Sequence, residues 1–184
     1  MEMEKRTILK DNLKTLYDIE IWMLGCLVLA LVPFANVLVI IAAPILAIIG
    51  VVAQVRLRKV HPDYQKAVVA LVVGFLFNLL GRGEGSLASV MEMVGTIAST
   101  AQTYFIIQAT NSLLTEVGGM EEVELGKKAW MWTLYSMIGS AVVTLLGFAG
   151  SSPLLLLPVI ISLIISITAL VFYIKYLKRS SEAF

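Results

Sequence analysis

The sequence predicts an all-α protein: a polytopic transmembrane helix bundle of six spans arranged as three helical hairpins, with both termini cytoplasmic. Three observations predict it. Of the 184 residues, 59% are hydrophobic and only 15% charged, and the mean hydropathy of +0.90 is well above that of an ordinary soluble domain. The apolar residues fall into six runs separated by short polar or Gly/Pro-bearing segments. Lys and Arg, finally, collect in alternate loops, as the basic excess of cytoplasmic loops requires.

A span needs roughly 20 mostly apolar residues, and residues 21–55 hold no charge, which is too long a stretch for one ordinary span. Pro33, Phe34, Ala35 and Asn36 divide it as a turn, because Pro lacks a backbone donor and Asn tolerates turn geometry. The first hairpin follows, its first arm (19–32) short enough that it must begin near Leu16 and tilt little, or stop below the outer surface. The basic segment 56–66 then leads into a third span at 67–80, with Pro62 at a first helical turn. The Gly-rich turn 81–86 opens a fourth span at 87–114. An acidic connector, 115–128, precedes the fifth span at 129–148, and the loop 147–153 separates this from the sixth at 154–174.

Charge tests the order. With both termini inside, the cytoplasmic side receives Lys5, Arg6, Lys10 and Lys14, then Arg56, Arg58, Lys59 and Lys66, then Lys127 and Lys128, then Lys175, Lys178 and Arg179; only Arg82 falls outside. If 21–55 were a single span, the first two groups would sit on opposite sides and the asymmetry would drop sharply. Aromatic residues agree, since Trp and Tyr favour the headgroup level: Trp22, Trp130, Trp132, Tyr17, Tyr64, Tyr135, Tyr173 and Tyr176 lie near the inner ends, with only Tyr104 mid-span. Residues 1–18 read as a cytoplasmic amphipathic segment lying on the inner surface, with Ile8, Leu9, Leu13, Leu16 and Tyr17 on one helical face, although Met1 to Thr7 read equally well as a frayed polar leader. Residues 19–176 form the six-span domain and 177–184 a cytoplasmic tail. No small-x-small cleavage site follows the first apolar run, so the first span is expected to be retained.

Composition excludes several function classes. A net charge of +1 leaves no basic excess for phosphate contacts, so nucleic acid is not an expected partner. One Cys and one His cannot form an intrachain disulfide or a Cys/His zinc site, and neither a metal nor a cofactor is expected. Catalytic groups come as constellations, whereas here Cys26 and His61 lie in different segments, no GxSxG or GxGD pattern occupies a span, and Glu92 lacks a second carboxylate; an enzyme is not expected. Cys26 reads as a small core hydrophobe and His61 as a loop residue. The alternating glycines of 81–86 suit a tight turn better than a phosphate cradle, because no strand precedes them.

Polar residues within spans are costly and therefore informative. In span four, Ser89, Glu92, Thr96, Ser99, Thr100 and Thr103, with Thr110 further on, fall within an arc of about 100° on a helix turning 100° per residue. Leu87, Val90, Val94, Ile97, Ala101 and Phe105 occupy the opposite, lipid-facing side, so the stripe is expected to face the bundle interior. It is read either as interhelical glue or as the wall of a solute path with Glu92 as its ionisable group. The helix, roughly 43 Å over 86–114, outruns the hydrocarbon core, so its 108–112 end is expected to emerge into the cytoplasm. Rows of small residues, Ser136, Ser140 and Thr144 in span five and Ser162, Ser166 and Ala169 in span six, predict close packing of the last hairpin. Asn78 and Gln54 are read as packing residues.

The stretch His61-Pro-Asp-Tyr-Gln-Lys-Ala67 entering a span, Asn111-Ser-Leu-Leu followed by Gly118, Glu122, Trp130 and Leu134-Tyr135, and the basic tail resemble a group of small multi-span bacterial membrane proteins to which no function is assigned. The resemblance covers about the C-terminal two thirds and implies a bacterial cytoplasmic membrane, but no substrate or site. Length and span count are also similar to the substrate-capture subunits of energy-coupling-factor vitamin transporters, without a shared motif, and a shared fold would not carry the function across. The expected role is a non-enzymatic accessory or scaffold subunit in that membrane, its partners the lipid bilayer and a second membrane protein or second copy, docked through the acidic connector 116–124. The alternative is a small-solute transporter or channel, its substrate unknown, using the span-four stripe. A dry, packed interior beside Ser89, Glu92 and Thr96 favours the first, and a cavity there favours the second.

Overall fold

The computed structural model describes residues 3–29, 36–81, 85–148 and 156–184. These form six α-helices: α1 (Met3–Leu29), α2 (Asn36–Leu57), α3 (Asp63–Leu80), α4 (Ser86–Val117), α5 (Met120–Phe148) and α6 (Leu156–Ala183). The turn residues read at 33–35 and 82–84 and the loop at 149–153 lie outside the described residues. Local chemistry sets the visible boundaries. Pro62, with its φ of −62° already helical, stands at the N-cap of α3. Gly118 ends α4 in the left-handed region at φ +82°, where its N–H reaches the carbonyls of Leu114 and Thr115, a conformation that costs a residue without Cβ little. Glu121 and Glu122 then occupy the first turn of α5, where carboxylates are favoured by the helix dipole.

Each helix packs against the next in chain order and α6 returns onto α1, with a small further contact between α4 and α6. The most extensive interfaces join α3 to α4 and α5 to α6, then α1 to α2, which is the predicted hairpin pairing. Segments of α2, α3, α5 and α6 (Leu38–Leu57, Asp63–Leu80, Met120–Leu146 and Leu156–Ala183) are long and apolar enough to cross a membrane. The chain is therefore a helical membrane protein by length and composition. The charges of α1 extend to Glu20, and α4 carries the hydroxyl stripe and Glu92, which sets these two helices apart from the other four.

The core sits at one end of the bundle, the end holding the α2–α3 and α4–α5 connections and the start of α1. There Leu9 and Leu13 of α1, Leu57 of α2, Tyr64 of α3, Leu114 of α4 and Leu177 of α6 are all 0% exposed, and Val123 and Ala129 of α5 join the same cluster. Towards the other end the apolar side chains point outward: Phe75, Leu157 and Ile164 are 65%, 66% and 58% exposed. Exposed apolar surface on that scale is tolerable only against lipid or another apolar partner.

Four expectations change. The apolar face of the N-terminal segment exists, but α1 is continuous from Met3 to Leu29, and Leu9, Leu13 and Leu16 enter the bundle core instead of resting on a surface. The acidic connector is mostly helix, broken only at Gly118 and Gly119; Val123, Gly126 and Ala129 recur every three residues and are buried, while Glu121, Glu124, Lys127 and Lys128 stay exposed, so an amphipathic turn wins over local charge. The last turns of α4 are central to the core, with Ile106, Ile107, Ala109, Thr110 and Leu113 buried. Tyr64, Tyr173 and Tyr176 likewise lie inside, at 0%, 8% and 0% exposure, and are not headgroup residues. For two of them the polar ends explain why: Tyr64 and Thr110 share a hydroxyl hydrogen bond of 2.7 Å, and the Tyr176 hydroxyl donates to Asn111 Oδ1 at 2.9 Å, so both phenols are satisfied.

Candidate functional site

Small residues fix how the helices around the stripe approach. On the α3–α4 seam, a Cβ on Gly81 would come within 2.9 Å of the Glu92 backbone nitrogen, and one on Gly95 within 2.5 Å of Asn78 Oδ1; the two backbones are closer than any side chain would allow. Gly74 faces Ser99 in the same way, at 3.1 Å from its Oγ. The α5–α6 seam is built from Ser136 and Ser166, whose hydroxyls lie 2.7 Å apart, and from Gly139 against Ser162. Asn78 is therefore a packing residue, as its position in the sequence indicates.

Between the two seams, α4 and α5 do not close on each other. A pocket of about 110 Å³ lies between them, lined by Ser89, Glu92, Met93, Thr96 and Ile97 of α4 and by Met137, Ser140, Ala141 and Thr144 of α5. Since a water occupies about 30 Å³ of liquid, the space suits a few waters or a small solute. The stripe thus splits: Ser89, Glu92 and Thr96 line the pocket, Ser99 turns towards Gly74 of α3, Thr100 is buried and Thr103 half-buried. The stripe side of α4 lies between its contacts with α3 and α5, and Leu87, Val90 and Ile97, at 68%, 48% and 51% exposure, face away, with Ile97 also reaching the pocket edge.

Of the stripe hydroxyls, Thr110 bridges to Tyr64 of α3, whereas those nearer the pocket bond within their own helix. Thr96 donates to the Glu92 carbonyl at 3.0 Å, Ser99 to Gly95 at 3.0 Å, Thr100 to Thr96 at 2.9 Å and Thr103 to Ser99 at 3.3 Å. Each O–H is spent on its own helix, four residues back. On the facing wall Thr144 does the same, donating to the Ser140 carbonyl at 3.0 Å. What these threonines offer the pocket is therefore lone pairs. Glu92, exposed to the pocket, adds a carboxylate with no hydrogen bond or ion pair to a described side chain; Arg82 lies outside the described residues. The lining offers acceptors at Glu92, Thr96 and Thr144 and a hydroxyl at Ser140, with no cationic side chain among it.

Sequence reasoning missed the α5 half of this wall, because Ser136, Ser140 and Thr144 looked like one packing row. A spacing of four residues advances about 40° beyond a full turn. The row therefore winds from the α6 seam at Ser136 round to the α4 side at Ser140 and Thr144. Among known proteins, no family model, no curated protein and no solved structure matches the chain, so the chemistry of the site rests on its own geometry.

Proposed function

We propose that the chain is a six-span protein of a bacterial cytoplasmic membrane, both termini inside, which binds and passes a small cationic or hydrogen-bond-donating solute through the pocket at Glu92. The observation that carries this reading is the pocket between α4 and α5 at the Ser89–Thr96 end of the polar stripe, where a scaffold would be expected to pack. Its one ionisable group is a carboxylate and it holds no cationic side chain, which favours a ligand that donates hydrogen bonds and carries positive charge, such as a small ammonium ion. The carboxylate supplies charge complementarity, and Met93, Met137, Ile97 and Ala141 supply apolar contact for a carbon substituent. No covalent step is required of any residue, and the protein acts as a carrier or channel and not as an enzyme.

The test is flux in liposomes containing the purified chain, with methylammonium as probe and urea as a neutral control of similar size. Methylammonium entry is expected to exceed urea entry and to be lost in Glu92→Gln, with the variant as stable in detergent as the wild type. Equal, background-level flux for both probes with wild type and variant refutes transport and leaves the accessory-subunit reading. Topology is tested separately by single cysteines in a Cys26→Ala background. Lys59→Cys and Glu116→Cys should react with an impermeant maleimide from the cytoplasmic side only, and Leu87→Cys from the outside only; the reverse for Leu87 would overturn the six-span order.

A further inference from the structure

We propose that the seam between α1 and α6, at the core end of the bundle, binds the phosphate headgroup of an anionic phospholipid. Lys10, Lys14 and Tyr17 of α1 and Lys178, Ser181 and Glu182 of α6 line a pocket of about 320 Å³ there. Three ammonium groups from two helices thus meet one carboxylate, a local excess of positive charge. None of the three lysines has a carboxylate partner within 4 Å among the described residues. At the same end, Lys66 holds Asp63 at 2.6 Å and Arg179 lies 3.5 Å from Glu121; what sets Lys10, Lys14 and Lys178 apart is that they converge on one pocket from two helices. An unmatched basic pocket between two membrane helices on the cytoplasmic side is a setting in which lipid phosphates bind.

What distinguishes a lipid from a free phosphate is the surface that continues from the pocket. Along α1 the face of Lys10, Lys14 and Tyr17 runs on, at helical spacing, through Ile21, Leu24 and Val28, which are 41%, 36% and 59% exposed. Along α6 the face of Lys178 runs back through Val171, Ile167 and Ile164, all more than half exposed. A basic pocket at the foot of an exposed apolar track on both helices has the polarity of a phospholipid, head and chains in the right order. Tyr17 at the boundary suits the interface between the two regions. The site is separate from the Glu92 pocket and does not depend on solute transport.

The experiment is native mass spectrometry of the full chain released from micelles holding equal amounts of phosphatidylglycerol and phosphatidylcholine. Retention of one phosphatidylglycerol in preference to phosphatidylcholine, on the order of tenfold, is the expected result, given the energy of each basic residue near an anionic lipid surface. Lys10→Gln/Lys14→Gln/Lys178→Gln should bring the ratio close to one, and the corresponding triple Arg variant should keep it. Lys59→Gln/Lys127→Gln/Lys128→Gln removes equal charge elsewhere at the same end and should leave the preference intact; an equal loss there would show that diffuse charge, and not the seam, selects the lipid. Millimolar inorganic phosphate should not displace the retained lipid. Displacement would assign the pocket to a free anion and overturn the proposal, as would no preference in the wild type.

Discussion

Gly126→Ala should destabilise the protein by about 1–3 kcal/mol, and Gly139→Ala should not. Gly126 lies on α5 opposite the buried Tyr176 and the half-buried Asn111, and a Cβ there would sit 2.6 Å from Asn111 Oδ1, 2.8 Å from its Nδ2 and 2.8 Å from Tyr176 Cε2. Neither neighbour can yield alone. Moving Asn111 breaks the 2.9 Å bond it accepts from the Tyr176 hydroxyl, and moving the fully buried Tyr176 ring disturbs its packing in the core cluster with Leu114 and Leu177. Overpacking of a tight core costs roughly 1–3 kcal/mol and a lost buried hydrogen bond about 1 kcal/mol. The gain in helix propensity from Gly to Ala returns up to about 1 kcal/mol. At Gly139 a Cβ would meet only Ser162, with its Oγ at 3.2 Å and Cβ at 3.6 Å, so a shift of a few tenths of an ångström suffices and the propensity gain offsets it. Midpoints of unfolding in a mild-detergent to dodecyl-sulfate titration read both variants against wild type. Equal midpoints for the two variants would refute the claim that α5 is seated against α4 and α6 by glycine at 126.

Two further predictions follow from the division between a packed end and an open one. Leu13→Ala, at 0% exposure in the core cluster, should cost about 2–5 kcal/mol, while Ile164→Ala, 58% exposed on α6, should cost well under half of that in the same titration; comparable losses would place the core elsewhere. Ser140→Leu points bulk into the α4–α5 pocket and should abolish methylammonium flux while leaving stability near wild type, whereas Ser166→Leu breaks into the 2.7 Å contact with Ser136 and should lower stability by about 1–3 kcal/mol. A severe loss of stability in Ser140→Leu would mean that the α4–α5 gap is closed.

Six helices and their hairpin pairing were legible in the sequence because they leave a long-range trace: apolar runs of helical length broken by short polar or Gly/Pro-bearing segments. Single-residue events were harder to read. Gly118 and Gly119 end one helix and start the next within two residues, yet the acidic residues around them resemble a solvated loop. A tyrosine near the end of a span reads alike whether its hydroxyl meets headgroups or a buried acceptor, and only the partners on other helices, Thr110 for Tyr64 and Asn111 for Tyr176, decide. Those partners lie 46 and 65 residues away along the chain, beyond the reach of local pattern.

The same geometry explains why an opening forms between α4 and α5. At the core end these helices turn sharply through Gly118 and Gly119, and the cluster around Leu114, Val123 and Ala129 holds them together. Beyond it, close approach is reserved for the α3–α4 and α5–α6 pairs by Gly74, Gly81 and Gly95 on one side and Gly139 on the other. Among the described glycines of α4 and α5, none is in contact with the other helix at the level of the pocket, where Met93 and Met137 instead stand among the lining. Changing the width of that gap therefore disturbs neither glycine seam, and flexible, unbranched methionines are suited to repacking along it. The Glu92 backbone is held against Gly81 at the α3 seam while its carboxylate faces the gap. On the proposed transport reading, a charge on the closely packed α3–α4 pair, turned towards the gap, would bind a solute strongly with the gap narrow and release it with the gap wide, because the same carboxylate is worth more with water excluded.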